Sequence, residues 1–146
     1  MMRAVWATVL LFAVLAPGAA WAKAPAGRYV VQGDVVLDTA TKRTWVRAAP
    51  FKNYAYQDAV TYCDALVFAG KDDWRLPSVV ELLTLVDRKE VSPAIDPVAF
   101  PFAPPEFFWA ATLVAKVASS AWIVTFANGG ATPYGFGNGC RVRCVR

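Results

Sequence analysis

The stretch Asp72-Asp73-Trp74-Arg75-Leu76-Pro77-Ser78-Val79-Val80-Glu81-Leu82-Leu83 constrains the fold more than any other part of the chain. Leu76 precedes Pro77, which biases it away from the helical region and keeps the segment before it extended. Ser78 followed three residues later by Glu81 is a capping box, in which each residue satisfies an amide donor that the first turn leaves orphaned. The spacing therefore predicts an extended segment that turns directly into a helix starting at Val79 and ending near Arg88. Val79, Leu82, Leu83 and Val86 fall on one face of that helix, and Trp74 and Leu76 just upstream are placed to pack on the same core. Arg75, between two apolar residues, is expected to be a structural guanidinium paired with Asp72, Asp73 or Glu81 or with carbonyls at a loop base. Trp74, Arg75, Pro77, Ser78 and Glu81 thus form one structural unit.

The amino terminus has the form of a secretory signal peptide. Met1-Met2-Arg3 is followed by an apolar run from Ala4 to Leu15, a break at Pro17-Gly18, and small residues around a cleavage point after Ala22. About 12 apolar residues are too few for the ~20 of a membrane-spanning helix, so no membrane span is expected after cleavage. The expected domains are a signal peptide over 1–22 and a single domain over 23–146, exported to a periplasm or beyond the cell. Removing Arg3 lowers the formal charge from +4 to +3. That mild excess, together with export, argues against a nucleic-acid partner.

Cys63, Cys140 and Cys144 all lie in the mature part, where an oxidising compartment makes a disulfide the default. Alternation along Cys140-Arg141-Val142-Arg143-Cys144 puts both cysteines and Val142 on one face of a strand, with Arg141 and Arg143 on the other. Strand residues four apart are roughly 13 Å from each other, beyond the ~7 Å between α-carbons that a bridge tolerates. Cys63 must then be one partner, with Cys140 or Cys144 the other. Closing a loop of about 80 residues stabilises by up to ~4 to 5 kcal/mol in the chain-entropy picture.

Arg28 to Gln32 and Val35 to Asp38 read as a hairpin around Gly33-Asp34, Thr39 to Lys42 as a polar turn, and Thr44 to Val46 as a third strand. A first helix is expected from Tyr56 to Ala69, with Ala59, Val60, Cys63, Leu66 and Val67 inward and Gly70 as its stop. Five prolines between Pro93 and Pro105 exclude helix and central strand, leaving a long surface loop pinned by Ile95, Phe100 and Phe102. Strands follow at Phe107 to Ala110, Ala121 to Phe126, Thr132 to Phe136 and Cys140 to Val145, with turns at Asn128-Gly129-Gly130 and Gly137-Asn138-Gly139. Strands, two helices, a loop and a meander make an α+β protein. Trp45, Trp74, Trp109 and Trp122 are expected in its core.

The residues Asp38 to Thr41, Ala59 to Cys63, Ala69-Gly70, Asp73 to Pro77, Glu81-Leu82, Trp109, Ala121-Trp122 and the terminal Val142-Arg143-Cys144-Val145-Arg146 together resemble the Lcl C-terminal domain family. This is a bacterial domain named for the end of a collagen-like adhesin. The resemblance covers nearly all of the mature chain. It implies a C-type-lectin-like fold, two helices around a small twisted antiparallel sheet with a long proline-rich loop, and a Cys63–Cys144 disulfide. Cys140 departs from the family pattern and is expected as a free thiol or an intermolecular link. The best-known member binds sulfated glycans as a trimer on a collagen-like stalk. This chain has no such stalk, and it lacks the Glu-Pro-Asn, Gln-Pro-Asp and Trp-Asn-Asp signatures of calcium-dependent sugar binding.

Catalysis is poorly provided for. The chain contains no histidine, which excludes Ser-His, Cys-His and histidine-metal sites at once. Asp72-Asp73 reads as a solvated turn, and zinc would need four ligands where three cysteines are partly oxidised. Cys140 and Cys144 could mimic the cysteine pair of a copper-dependent oxidase, but a bridged Cys144 removes that chemistry. No catalytic residue, metal or cofactor is expected. The candidate ligand-binding residues are Tyr134, Phe136, Asn138, Arg141 and Arg143: an arginine pair beside aromatics suits a sulfate or carboxylate. The sequence thus points to a non-enzymatic binding module for an anionic or sulfated glycan, with a structural cell-envelope component that binds a protein partner as the alternative.

Overall fold

The computed structural model describes residues 24–146; the expected signal peptide, residues 1–22, lies outside them. Two antiparallel three-stranded sheets and two short helices make up an α+β domain. The first sheet is a meander of β1 (Tyr29–Gln32), β2 (Val35–Asp38) and β3 (Arg43–Val46). Its hairpin is closed by the Gln32–Val35 pair around Gly33-Asp34, and Gly33 has φ +63°, which glycine adopts without steric cost. Helices α1 (Tyr56–Asp64) and α2 (Val79–Thr84) follow. The second sheet is a meander of β4 (Phe107–Leu113), β5 (Ser120–Thr125) and β6 (Ala131–Gly135). Pro133 lies in β6, at the sheet's outer row, where a missing donor costs no interior ladder bond. Two separate sheets therefore replace the single sheet expected.

Strand alternation sends neighbouring residues into two different cores. Val35, Val46, Trp109, Ala121 and Ile123 join Ala59 and Cys63 of α1 in one cluster, with Trp74 and Leu76. Their neighbours Val36, Trp45, Phe108, Ala110 and Val124 join Leu82 of α2 in the other, with Leu85, Ile95 and Phe100. The central strand of each sheet is thus covered on both faces, which accounts for the nearly unbroken apolar runs of β2 and β5. Trp45, Trp74 and Trp109 are buried as expected, and Trp122 is half-buried. The Cys63–Cys144 disulfide ties α1 to the carboxy-terminal segment, with 5.5 Å between α-carbons, while Cys140 is unpaired and buried.

The capped helix begins as the sequence dictates. Ser78 Oγ accepts from the Glu81 amide at 3.2 Å, and Glu81 Oε2 accepts from the Ser78 amide at 2.8 Å. The ends of both helices differ from expectation, because other backbone pairings take up the residues that would extend them. α1 stops at Asp64, not Ala69. Ala69 and Gly70, with φ +51° and +70°, form the tight turn of a Phe68–Lys71 bridge, and Val67 is left exposed. α2 stops at Thr84, not near Arg88, because Val86 bridges to Ile95 and the Asp87 amide donates to the Ala94 carbonyl. In the proline-rich segment Ile95 and Phe100 are fully buried, whereas Phe102 is 90% exposed and pins nothing.

The carboxy-terminal segment departs furthest from the reading. Cys140 to Val145 is not one strand of alternating faces but a thread of single bridges to Tyr54, Phe108, Trp45 and Arg75. Without a continuous ladder, strict alternation fails, and Cys140, Val142, Arg143, Cys144 and Val145 are all buried.

Candidate functional site

The five residues that the sequence marks for ligand binding do not form one surface. Arg143 is 1% exposed and is not on a solvated strand face. Its Nη1 donates to the carbonyls of Val46 and Arg47 at 2.7 and 2.6 Å, and its guanidinium lies over the Phe100 ring, 4.8 Å from the centroid. Burial lowers its pKa to about 10, still well above physiological pH, so it stays charged inside the core. A carbonyl pair at Nη1 and an aromatic face stand where a carboxylate would ordinarily be, and Nε and Nη2 are buried without a hydrogen-bond partner among the described residues. Arg143 is therefore a structural cation, which corrects its expected pairing with Arg141.

Arg141 forks onto Glu106, with Nε to Oε2 at 2.7 Å and Nη2 to Oε1 at 3.2 Å. That hydrogen bonding holds the Glu106 carboxyl below its ordinary pKa. Tyr134 packs against Phe107 and Trp109 at 5.7 and 5.9 Å between centroids, and Phe136 stacks on Tyr56 at 4.4 Å. The Asn138 side-chain amide donates to the Gly135 carbonyl at 3.0 Å, closing its own turn. Tyr134 and Arg141 flank Phe107, whereas Phe136 and Asn138 serve the β6 turn.

A different pair of arginines faces solvent. Residues 144–146 run between β3 and the segment at Arg75, with the Thr44 and Arg146 backbones exchanging hydrogen bonds of 2.9 Å and Arg75 and Val145 exchanging bonds of 2.9 and 3.0 Å. This ribbon brings Arg43 and Arg75 onto a single carboxylate. Arg75 grips both oxygens of Glu81 at 2.8 and 2.7 Å, while Arg43 Nε reaches Oε1 at 2.7 Å. The Arg75 hydrogen bonds, with those of Ser78 and the charge of Arg43, lower the Glu81 pKa from 4.5 to about 2. Both arginine side chains remain roughly two-fifths exposed, at 42% and 43%. Two cations share one anion, so one positive charge and several N–H donors are left for an incoming group. The sequence marked Glu81 as one of several partners open to Arg75, with Asp72, Asp73 and loop carbonyls; Arg43, nearly forty residues from Glu81, carried no local signal.

Arg146 lies in the row beside Val145 and pairs with Asp73 at 2.6 and 3.1 Å. With Lys71, Gln32 and Thr44 it borders a separate hollow of about 140 Å3. Cys140, which could in principle supply a thiolate, is held neutral: burial pushes its pKa up to about 12. Among the described residues no three of Cys, Asp and Glu gather closely enough to hold a metal ion, and no helix is long and apolar enough to cross a membrane.

The model of the Lcl C-terminal domain family matches residues 34–146, from the first hairpin turn to the last residue. The chain belongs to the Lcl C-terminal domain family. No curated protein matches it. In this Lcl C-terminal domain the matched residues include every element except β1, both bridged cysteines and the Arg43–Glu81–Arg75 cluster.

Proposed function

We propose that this Lcl C-terminal domain is an exported, non-enzymatic binding module of C-type-lectin-like architecture that recognises anionic groups, sulfate or uronate, on a glycan. One observation carries the reading: the half-exposed side chains of Arg43 and Arg75 share the single carboxylate of Glu81. An arginine fork suits planar or tetrahedral oxyanions, and its held geometry lowers the entropy lost on binding. The lectin-like architecture draws support from the short helices against small antiparallel sheets and from the disulfide that closes the chain.

The test is a glycan array at low and physiological salt with the 23–146 protein and its Arg43→Glu variant. Salt-sensitive binding to sulfated or uronic-acid glycans is expected, with a loss of roughly tenfold or more in the variant, equivalent to ~1.4 kcal/mol. Arg43 is chosen because Arg75 also supports the helix cap. A blank array, or a variant that binds as well as the original, refutes the assignment.

A second reading, an envelope component that binds a protein partner, is favoured by Phe102. This ring is 90% exposed and sits on a backbone with φ +56°, a left-handed conformation rarely adopted by a bulky residue. Such presentation suits an interface anchor. Periplasmic crosslinking that recovers a defined partner with native protein but not with Phe102→Asn supports it; equal recovery from both removes it.

A further inference from the structure

A cleft of about 440 Å3 opens between the start of β4, the end of β5 and the chain entering Cys140. That volume falls within the ~300–1,000 Å3 of small-ligand sites. Its walls include Asn53, Glu106, Phe107, Thr125, Asn128 and Gly139. We propose that this cleft binds an uncharged polyhydroxy ligand, the end of a neutral saccharide chain, with Phe107 against an apolar sugar face and Glu106 and Asn128 meeting its hydroxyls.

The charge balance decides the ligand class. Glu106 is matched one-to-one by Arg141, so the cleft has no surplus positive charge for a sulfate and no unmatched negative charge for an amine. Each Glu106 oxygen takes one N–H from Arg141, which fixes the carboxylate and leaves a lone pair on each for two adjacent O–H donors. Asn128 Oδ1 accepts from the Gly130 amide at 3.0 Å, so its NH2 group remains to donate to a ring or hydroxyl oxygen. Phe107 is 43% exposed while Tyr134 braces it, so the ring is both accessible and held. Gly139 and Asn53 pack closely in the far wall, where a β-carbon on Gly139 would lie 3.2 Å from Asn53 Cβ. A fixed acceptor pair, a donor and an apolar ring together suit a pyranose.

This inference does not rest on the anionic reading, and salt separates the two: high salt suppresses binding at Arg43 and Arg75 but not at a charge-balanced cleft. The experiment is an amide NMR titration of the 23–146 protein in high salt with cellotriose, maltotriose and N,N′,N″-triacetylchitotriose, all uncharged, one at a time. With at least one sugar, shifts are expected at Phe107, Asn128 and Gly139. Phe107→Ala should weaken binding by roughly tenfold, while Phe107→Trp and Arg43→Glu retain it. If Phe107→Ala unfolds, Glu106→Gln takes its place and must also weaken binding. The proposal is overturned if no sugar shifts these amides, if the shifts map outside the cleft, if the variant binds as well as the original, or if only an uncharged capped peptide perturbs the site.

Discussion

Glu81→Gln tests the central polar cluster, because one side chain there caps α2 and is shared by two arginines. In the folded protein Glu81 has its pKa lowered from 4.5 to about 2 by Arg75, Ser78 and Arg43. Taken at face value, that depression is worth roughly 3 kcal/mol. Arg43 and Arg75 are both more than a third exposed, so solvent screens their field, and about 1 to 2 kcal/mol is expected to survive. A carboxylate with a depressed folded-state pKa contributes its stability fully above the unfolded pKa, and loses it as pH falls through the folded value. The contribution should therefore be complete above about pH 5 and gone near pH 2. Urea unfolding of native protein and Glu81→Gln, across pH 7 to 2 at constant ionic strength, isolates it: subtracting the curves removes Asp73, Glu106 and every other shared titration. The difference should be about 1 to 2 kcal/mol at pH 7 and shrink toward zero by pH 2. A difference that stays constant with pH would mean that the Glu81 charge contributes nothing and that only the cap geometry matters.

Thiol chemistry should report the bridge directly. Native protein should offer no reactive thiol at mild alkaline pH and one after denaturation, since Cys140 is buried with a pKa near 12 and Cys63 is bonded to Cys144; three thiols would disprove the pairing. Cys63→Ala should cost about 2 to 5 kcal/mol in chemical denaturation, as expected for opening a loop with a sequence separation of 81. Gly129→Ala should destabilise by more than about 2 kcal/mol, because Gly129 has φ +79° and a β-carbon there would meet Val86 Cγ1; a melting temperature within a degree of native would contradict the turn. Phe102→Asn should be neutral or stabilising by up to about 1 kcal/mol, because asparagine tolerates the left-handed backbone and the ring packs on nothing.

What could be read from the sequence was local. The Ser78–Glu81 capping box, the Gly33-Asp34 hairpin and the β5 run each involve neighbours whose chemistry fixes their shape without outside help. Helix ends were less legible: Gly70 looked like a helix stop, yet the Phe68–Lys71 bridge competes for the same residues. Arg143 was misplaced for a sharper reason. Alternation predicts a face only where a continuous ladder holds a strand flat, and residues 140–145 pair with four different segments in turn. Cys140 and Cys144 could not be told apart by spacing, and the family resemblance separated them. The candidate site suffered most, since Arg43 meets Glu81, and Arg141 meets Glu106, only through long-range pairing.

The carboxy-terminal thread also joins parts of the chain that lie far apart in sequence. Tyr54, Phe108, Trp45 and Arg75 each take a backbone partner from residues 140–145, and Cys63 its sulfur partner from Cys144. The thread's residues belong to both cores, Cys140, Val142 and Cys144 to one and Val145 to the other, so neither core is complete without them. One short segment supplies the row between β3 and Arg75, the buried cation against Phe100 and the covalent tie to α1. Losing that segment would therefore open both cores and break the bridge together.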